Sequence, residues 1–243
     1  MEPVGLELKT SGQTEFMVDM KCEGCVSSVK NKLLNLEVGV KKVDVDLNNQ
    51  VVRVLGSSSV KAMLDGMEQT GRRARLIGQG IPEGPHVVAP QISRFQPLWP
   101  NSRPSCLGIV RLVQVNMELA RIEASFSGLT PGKHGWAINE FGDLTRGVAS
   151  TGKVFNPGDQ ATSEEPLGDL GTLDADGNGE AQFSSSKRTL RVADLIGRSI
   201  AVYETEGKSS TGVAAAVIAR SAGVGENYKK LCTCDGLTIW ESR

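Results

Sequence analysis

Four of the five cysteines in this chain occur as two close pairs. Cys22 and Cys25 are separated by two residues, and Cys232 and Cys234 are separated by one. Paired thiolates are soft ligands that favour soft metal ions, of which Cu(I) is the clearest example. The two pairs lie near opposite ends of a chain of 243 residues. This arrangement indicates a protein that receives a metal ion and passes it on, rather than one that only stores it.

The first pair belongs to the segment Met20-Lys21-Cys22-Glu23-Gly24-Cys25, between a predicted strand and the first turn of a predicted helix. Unpaired N–H groups and the positive dipole end at a helix start lower thiol pKa values. Two thiolates placed there can hold Cu(I) and leave it open to a third sulfur. A reducible disulfide or two buried small residues are the alternatives. We interpret Met20 as an apolar anchor of the loop and not as a ligand.

The second pair has a spacing that suits transfer. A disulfide between Cys232 and Cys234 would be strained, because only one residue separates them. A strained disulfide is oxidising and is readily passed to another thiol. Two thiolates one residue apart can also bind a soft ion. We therefore predict a copper or disulfide relay at this pair, with an unpaired tail as the alternative.

The surrounding pattern predicts an α+β protein in four parts. Residues 1–78 alternate strand and helix periodicities in the order βαββαβ, which is the ferredoxin-like arrangement. Residues 79–104 are rich in Gly and Pro and predict a linker and the entry to a second domain. Residues 105–221 contain short alternating strands separated by turns, which is typical of a β-sandwich or barrel. Residues 222–243 form a short C-terminal extension.

Composition excludes several classes of partner. The formal net charge is −1, so no strong field favours nucleic acid. The apolar runs are far shorter than the roughly 20 residues of a membrane span, which argues against membrane insertion. The first residues have no secretory signal pattern, and the cysteine count is odd. We therefore expect a reducing compartment, in which close cysteine pairs bind metal or do redox chemistry.

Two segments resemble known families. Met20-x-Cys22-x-x-Cys25 on a βαββαβ pattern resembles the heavy-metal-associated domains of copper chaperones and copper pumps. The segment from Gly132 to Thr145, GKHGWAINEFGDLT, is similar to the signature of Cu,Zn superoxide dismutases, and the similarity continues over most of residues 105–223. This resemblance implies an eight-stranded Greek-key barrel.

The resemblance also implies that the dismutase chemistry is missing. The copper-ligand and bridging histidines of that family fall on Ala137, Asn139, Val154 and Tyr203, and only Asp169 matches a zinc ligand. The chain has two histidines in all, too few for the family's copper–zinc site. We expect no zinc in this domain and no dismutase activity.

The order of the three parts is similar to the family of copper chaperones for superoxide dismutase. The resemblance implies delivery of Cu(I) to Cu,Zn superoxide dismutase and help in forming its disulfide. It implies docking through a dismutase-like dimer surface, which can also form a homodimer, with matching residues at Phe141, Gly142, Val217 and Arg220. A membrane transporter that supplies copper, a cytoplasmic location and a minor pool in the mitochondrial intermembrane space are further expectations from the resemblance.

Two other functions stay open at this point. One is a thiol oxidoreductase, dependent on copper or independent of it, in which Cys232 and Cys234 are the working pair. An experiment that separates it from a chaperone asks whether disulfide transfer to the target protein still occurs after copper has been strictly removed. The other is a superoxide dismutase with an added domain, against which the missing histidines argue.

Overall fold

The computed structural model describes residues 12–36, 39–80, 90–91, 106–157, 165–208, 211–221 and 223–225. Contacts divide the chain into two units, one formed by Met1–Val87 with Ala222–Arg243 and the other by Val88–Ser221. Among the described residues, no helix is long and apolar enough to cross a membrane.

The first unit has the predicted βαββαβ order, which confirms this half of the expected fold. Its strands pair antiparallel in the order β2-β3-β1-β4. Its elements are β1 (Gly12–Val18), α1 (Glu23–Leu34), β2 (Val40–Asp46), β3 (Val51–Gly56), α2 (Val60–Glu68) and β4 (Ala74–Gly80).

The core of this unit follows from the two periodicities in the sequence. Alternate residues of β1, Phe16 and Val18, point to the face that α1 covers with Val29 and Leu33. Strand residues alternate between faces, whereas helix residues three or four apart share one face. Helix α2 begins after Ser59, whose side-chain oxygen accepts a hydrogen bond from the Ala62 N–H at 3.2 Å. These elements leave the loop between β1 and α1 at the end of an interior strand of the sheet.

Strand β4 extends two residues beyond the expected boundary at 78. Gly78 and Gly80 lie opposite Glu15 and Gln13 of β1. The sequence pattern ends the strand earlier because glycine is usually read as a breaker of strands. Within a strand, glycine also marks a place where another backbone comes close, and Gly78 is such a place.

The second unit is all-β. Its described strands are β5 (Pro90–Gln91), β6 (Leu107–Asn116), β7 (Leu119–Ser127), β8 (Gly132–Asn139), β9 (Thr145–Val148), β10 (Asp169–Ala175), β11 (Ala181–Arg188), β12 (Ser199–Tyr203), β13 (Gly212–Val217) and β14 (Ala219–Arg220), with a 3-10 turn at Val192–Leu195.

Two sheets enclose the core of this unit, one ordered β10-β8-β12-β13 and one ordered β11-β7-β6. Trp136 of β8 is fully buried and makes edge-on ring contacts with Phe126 and Phe183 of the facing sheet, with centroids 6.0 and 4.9 Å apart. The small residues Ala214 and Ala216 of β13 complete this core. The strands β6 to β13 confirm the predicted Greek-key barrel.

Candidate metal centre and docking surface

The loop between β1 and α1 presents Cys22 and Cys25 at the surface of the first unit. Met20 is buried in the core, as expected for an anchor, and its carbonyl oxygen accepts a hydrogen bond from Gln50 Nε2 at 3.2 Å. Cys22 occupies the N-cap position of α1 in an extended conformation, and Cys25 lies in the first turn. The buried methionine and the helix start therefore fix the loop at both ends.

The two sulfur atoms lie 3.2 Å apart. This distance is well beyond the roughly 2.05 Å of a disulfide bond, so no disulfide joins the two residues in this structure. Cys22 is exposed, whereas Cys25 is buried. One sulfur is therefore open to an incoming molecule while the other is held against the core, and both can reach a single ion.

The surroundings of Cys25 favour its thiolate form. Its pKa is lowered, chiefly by a hydrogen bond from the backbone of Lys21 and next by one from the Cys22 side chain. The backbone of Cys22 and the positive charge of Arg72 act in the same direction, and burial acts against them. We expected the first turn of the helix to lower this pKa. The direction is as expected, but the main donors precede the helix.

No further protein ligand joins this pair among the described residues. In those ranges there is no group of three or more His, Cys, Asp or Glu side chains placed to hold a metal ion. Structural metal sites are usually closed by four protein ligands, and sites that react keep a position open. Two thiols at an exposed loop are therefore suited to exchange.

The other three cysteines divide into two cases. Cys232 and Cys234 lie outside the described residues, so the relay predicted for them is not tested by this geometry. Cys106 is buried in the core of the barrel unit, and burial raises the pKa of its thiol to about 11. A protonated, buried thiol is a packing group and not a ligand or nucleophile.

The barrel brings together the four positions that match dismutase histidines, but they form a packed cluster. Ala137 and Tyr203 lie in one small apolar cluster, and Val154 packs against it. Asn139 is buried, and its amide nitrogen donates hydrogen bonds to Tyr203 Oη at 2.9 Å and Thr151 Oγ1 at 2.7 Å. At the position where the family resemblance places copper, this barrel therefore has packed apolar side chains and the hydrogen bonds of Asn139.

The retained zinc-type carboxylate of Asp169 has a different cation beside it. Lys208 Nζ lies 2.8 Å from Asp169 Oδ2, with both side chains mostly buried, and the Gly171 N–H donates to Oδ1 at 2.7 Å. The Lys187 ammonium donates to the backbone carbonyl of the same residue. An ammonium ion here supplies positive charge where the resemblance places zinc.

An exposed apolar patch surrounds Gly142. Phe141 is 57% exposed and Val217 is 37% exposed. The Ser199 hydroxyl donates to the Phe141 carbonyl at 2.7 Å, and the Gly197 N–H donates to the Ile218 carbonyl at 2.9 Å, so three segments meet here.

Ile196 is a further exposed apolar residue, next to Gly197 in the sequence, and sequence reasoning missed it. It is 42% exposed and adjoins Gly197, whose carbonyl oxygen borders Gly142. The sequence offered one weak signal: Leu195 and Ile196 are consecutive apolar residues, and two neighbours in an irregular segment seldom both face the core. Arg220 is exposed on the separate strand β14.

Gly142 itself is constrained within its own chain. A Cβ atom there would lie 2.4 Å from the Gly197 carbonyl oxygen and 3.1 Å from Val217 Cγ1. The family resemblance assigns Gly142 to a dimer surface, where glycine would let a partner's backbone come close. The structure gives a reason inside the barrel, so a substitution at Gly142 would disturb the fold as well as the patch.

Two family matches define the class of protein. Residues 14–73 match the heavy-metal-associated domain family, and residues 106–223 match the copper/zinc superoxide dismutase (SODC) family. The chain therefore joins a metal-binding module of the first family to a barrel of the second.

Similar proteins narrow this class to one family. The chain is 67% identical over 229 residues to "Copper chaperone for superoxide dismutase, chloroplastic" of Oryza sativa subsp. japonica, covering 94% of this chain and 70% of that protein. It is 62% identical to "Copper chaperone for superoxide dismutase, chloroplastic/cytosolic" of Arabidopsis thaliana, covering 94% and 69%. It is 39% identical to "Copper chaperone for superoxide dismutase" of Mus musculus, covering 94% and 88%. This chain belongs to the family of copper chaperones for superoxide dismutase.

Proposed function

We propose that this chain is a copper chaperone that binds Cu(I) through Cys22 and Cys25 and delivers it to a Cu,Zn superoxide dismutase. The observation that carries the proposal is the pair of free cysteines at the start of α1, whose sulfur atoms lie 3.2 Å apart. The lowered pKa of Cys25 supports binding near neutral pH, because a metal takes the thiolate and releases the thiol proton.

The two sulfurs have different parts in transfer. Cys25 is the buried anchor, held by backbone donors, and Cys22 is the exposed ligand that an incoming thiolate can replace. Copper then moves from sulfur to sulfur through shared intermediates and is never released as a free ion. A copper-supplying membrane transporter is the expected donor at the same loop.

The barrel acts as the docking device. The apolar patch formed by Phe141, Gly142, Ile196 and Val217 is the surface we assign to the dismutase, or to a second copy in a homodimer. Apolar patches rimmed by polar residues mark protein interfaces. Arg220 is proposed at the border of this surface on the strength of the family resemblance.

The tail completes the transfer in this proposal. An oxidised Cys232–Cys234 pair exchanges with two thiols of the target: the target forms a disulfide and gives two electrons and two protons to the tail pair. The reduced pair also serves as a copper ligand. Replacing both residues with Ser should leave docking intact and abolish activation of the dismutase.

Size-exclusion chromatography and recovered dismutase activity, measured on the same samples, check this division of labour. Normal activation by the tail variant would refute the relay. Activation of the dismutase without transfer of copper would instead favour the thiol oxidoreductase. That alternative is tested by following the target's disulfide with thiol alkylation after strict removal of copper.

The barrel is proposed to hold neither copper nor zinc. The packed cluster around Asn139 and the Lys208–Asp169 pair support this. Elemental analysis of the full chain, with Cys22, Cys25, Cys232 and Cys234 all replaced by Ser, should give zinc and copper well below one ion per chain. Stoichiometric zinc in this variant would contradict the proposal.

The compartment is also a proposal. We expect a cytoplasmic pool, and the names of the rice and Arabidopsis relatives add the chloroplast as a second compartment to examine. Fractionation of cytosol, plastids and the mitochondrial intermembrane space, with detection by an antibody to the barrel, separates these locations. The mitochondrial pool stays a prediction from the family resemblance.

A further inference from the structure

The N-terminal sheet buries both of its faces. One face packs on α1 and α2, and the other carries a separate buried cluster of Met17, Val51 and Ile77. With both helices on one side, the second face of such an antiparallel sheet would ordinarily meet water. Its apolar character and burial therefore call for a cover supplied by another segment.

A row of three residues crosses this second face. Arg53 of β3 and Gly78 of β4 lie directly opposite Glu15 of β1. Glu15 is fully buried, and its Oε1 accepts a hydrogen bond from Arg53 Nε at 2.8 Å. A buried carboxylate is costly unless its oxygens are paired.

The other oxygen of Glu15 binds the start of the C-terminal segment. The Gly225 N–H donates to Glu15 Oε2 at 2.6 Å, across 210 positions of sequence. Hydrogen bonds to a charged acceptor are among the stronger ones in proteins. This contact ties residues 223–225 to the middle of β1.

Gly78 makes the space for this segment. A Cβ atom at position 78 would lie 2.6 Å from the Gly223 carbonyl oxygen and 3.2 Å from Glu15 Oε2. Any residue other than glycine would therefore push the segment away from the carboxylate. Gly78, which has no side chain, and the carboxylate of Glu15 together form one binding position, which we call the seat. The seat accepts a backbone segment that can donate an N–H group to Glu15.

We propose that this face is an intramolecular dock for the chain's own C-terminal segment, entered at Gly223–Gly225 and anchored by Glu15. The dock tethers the tail, with Cys232 and Cys234, to the unit that carries Cys22 and Cys25. The relevance of the tether to copper transfer rests on the function proposed above. The dock itself stands on the contacts of Glu15, Arg53 and Gly78.

Chain length shows what the tether achieves. Cys232 lies seven positions after Gly225, and Cys22 lies seven positions after Glu15, so each path spans at most about 25 Å. The two thiol pairs are therefore within reach of each other whenever the anchor is closed. A tethered encounter of this kind proceeds at an effective concentration on the order of millimolar.

Hydrogen exchange of the full-length, copper-free protein tests the dock. We compare wild type with Gly78→Ala, which blocks the seat, and with Glu15→Gln, which keeps the shape but removes the charge. Gly12→Ala is the matched control in the same sheet, because its Cβ would meet only the Gly80 carbonyl at an ordinary 3.5 Å. Competition with a Cu(I) chelator confirms in each variant that the Cys22–Cys25 loop is folded.

The Gly225 amide should be protected from exchange in wild type. Gly78→Ala should reduce this protection factor by about 10-fold or more, because that ratio corresponds to the loss of one charge-assisted hydrogen bond. Glu15→Gln should reduce it less, and Gly12→Ala should leave it unchanged. Exchange of Gly225 at the rate of an unstructured peptide, or no effect of Gly78→Ala, would overturn the proposal. Protection that rises with protein concentration would assign the seat to a second copy and would also overturn it. Because none of these readouts measures copper delivery, the dock can stand or fall separately from the chaperone function.

Discussion

The thiol loop of the first unit and the packed cluster of the barrel both occupy places where the family resemblance sets a metal. In the loop, Cys22 is exposed and Cys25 is held by backbone donors, so the pair is ready for an ion but not closed around one. In the barrel, Asn139 and Tyr203 are buried and hydrogen-bonded to each other. A site for transfer keeps its ligands under-coordinated, whereas the cluster in the barrel is filled by packed side chains and by the hydrogen bonds of the Asn139 amide nitrogen.

This difference shows what each region needs from its surroundings. The loop depends on Met20 and the helix start to hold its shape, and backbone donors hold Cys25 before any metal arrives. The barrel gains stability from the hydrogen bonds that Asn139 makes in this cluster, since buried polar atoms are costly unless they are paired. Removing the exposed thiol of Cys22 should therefore affect binding far more than folding, whereas removing a buried group of the barrel should affect folding.

The largest effect should come from the thiol loop. Cys22→Ser or Cys25→Ser leaves a single thiolate. Mutation of a residue that only hydrogen-bonds to a metal ligand typically lowers metal affinity by about 10- to 100-fold. Loss of a ligand itself should therefore lower the affinity for Cu(I) by on the order of 100-fold or more. Titration of full-length protein with Cu(I) against a competing chelator measures this, in a background with Cys232 and Cys234 replaced by Ser. Unfolding curves of the metal-free variants should match wild type, and equal copper affinity in the double Ser variant would disprove the site.

The docking patch should show the next largest effect. Phe141→Glu or Ile196→Glu places a charge in the apolar patch, and an unpaired buried charge costs about 2 kcal/mol or more, which is roughly 30-fold in affinity. Sedimentation analysis with the dismutase, and of the chain alone, measures the loss. Met117→Glu is the matched control, because Met117 is an exposed apolar residue of the same barrel, 82% accessible, in the turn between β6 and β7.

Copper binding at Cys22 and Cys25 should be unchanged in all three variants. Equal weakening by Met117→Glu would show that the loss is not specific to the patch. We avoid Gly142 as a test position, because a side chain there meets Gly197 and Val217 of its own barrel.

The sequence predicted the elements that follow from periodicity and motif. The βαββαβ order, the thiol loop with its buried Met20 and the all-β second unit all depend on local patterns, and the structure agrees with them. The small number of histidines, two in the whole chain, was also visible, because residue identity alone decides it.

Other features depend on contacts between distant parts of the chain. Lys208 is a plain surface-type residue in the sequence, and only the fold brings it to Asp169, 39 positions earlier. Arg72 acts on Cys25 in the same way from the loop after α2. The role of Gly78 was hidden because its partner, Gly223, lies at the other end of the chain. No periodicity or short motif carries such pairings.

The ammonium of Lys208 should stabilise the barrel by a moderate amount. Lys208→Met keeps most of the volume and leaves the Asp169 carboxylate without its cation at 2.8 Å. Because the pair is only partly shielded from water, we expect a loss of about 1–2 kcal/mol in the free energy of unfolding, between the values for surface and buried pairs. Adding Asp169→Asn should restore part of this loss, since the unpaired charge disappears. A loss indistinguishable from zero in urea unfolding would show that Lys208 does not serve as the replacement cation.

The smallest effect should come from Arg72, since its charge is the least of the causes that lower the pKa of Cys25. In Arg72→Gln the thiolate loses a favourable charge, so the pKa of Cys25 rises towards its ordinary value. At a given pH below that pKa a smaller fraction is thiolate, and copper affinity should begin to fall at a higher pH than in wild type as the solution is acidified. The chemical shift of the Cys25 Cβ carbon in labelled, copper-free protein, followed through a pH titration, measures the change. Arg72→Lys keeps the charge and should titrate like wild type. An identical titration of Arg72→Gln would mean that the backbone of Lys21 and the Cys22 thiol, without help from the cation, set the acidity of the copper-binding pair.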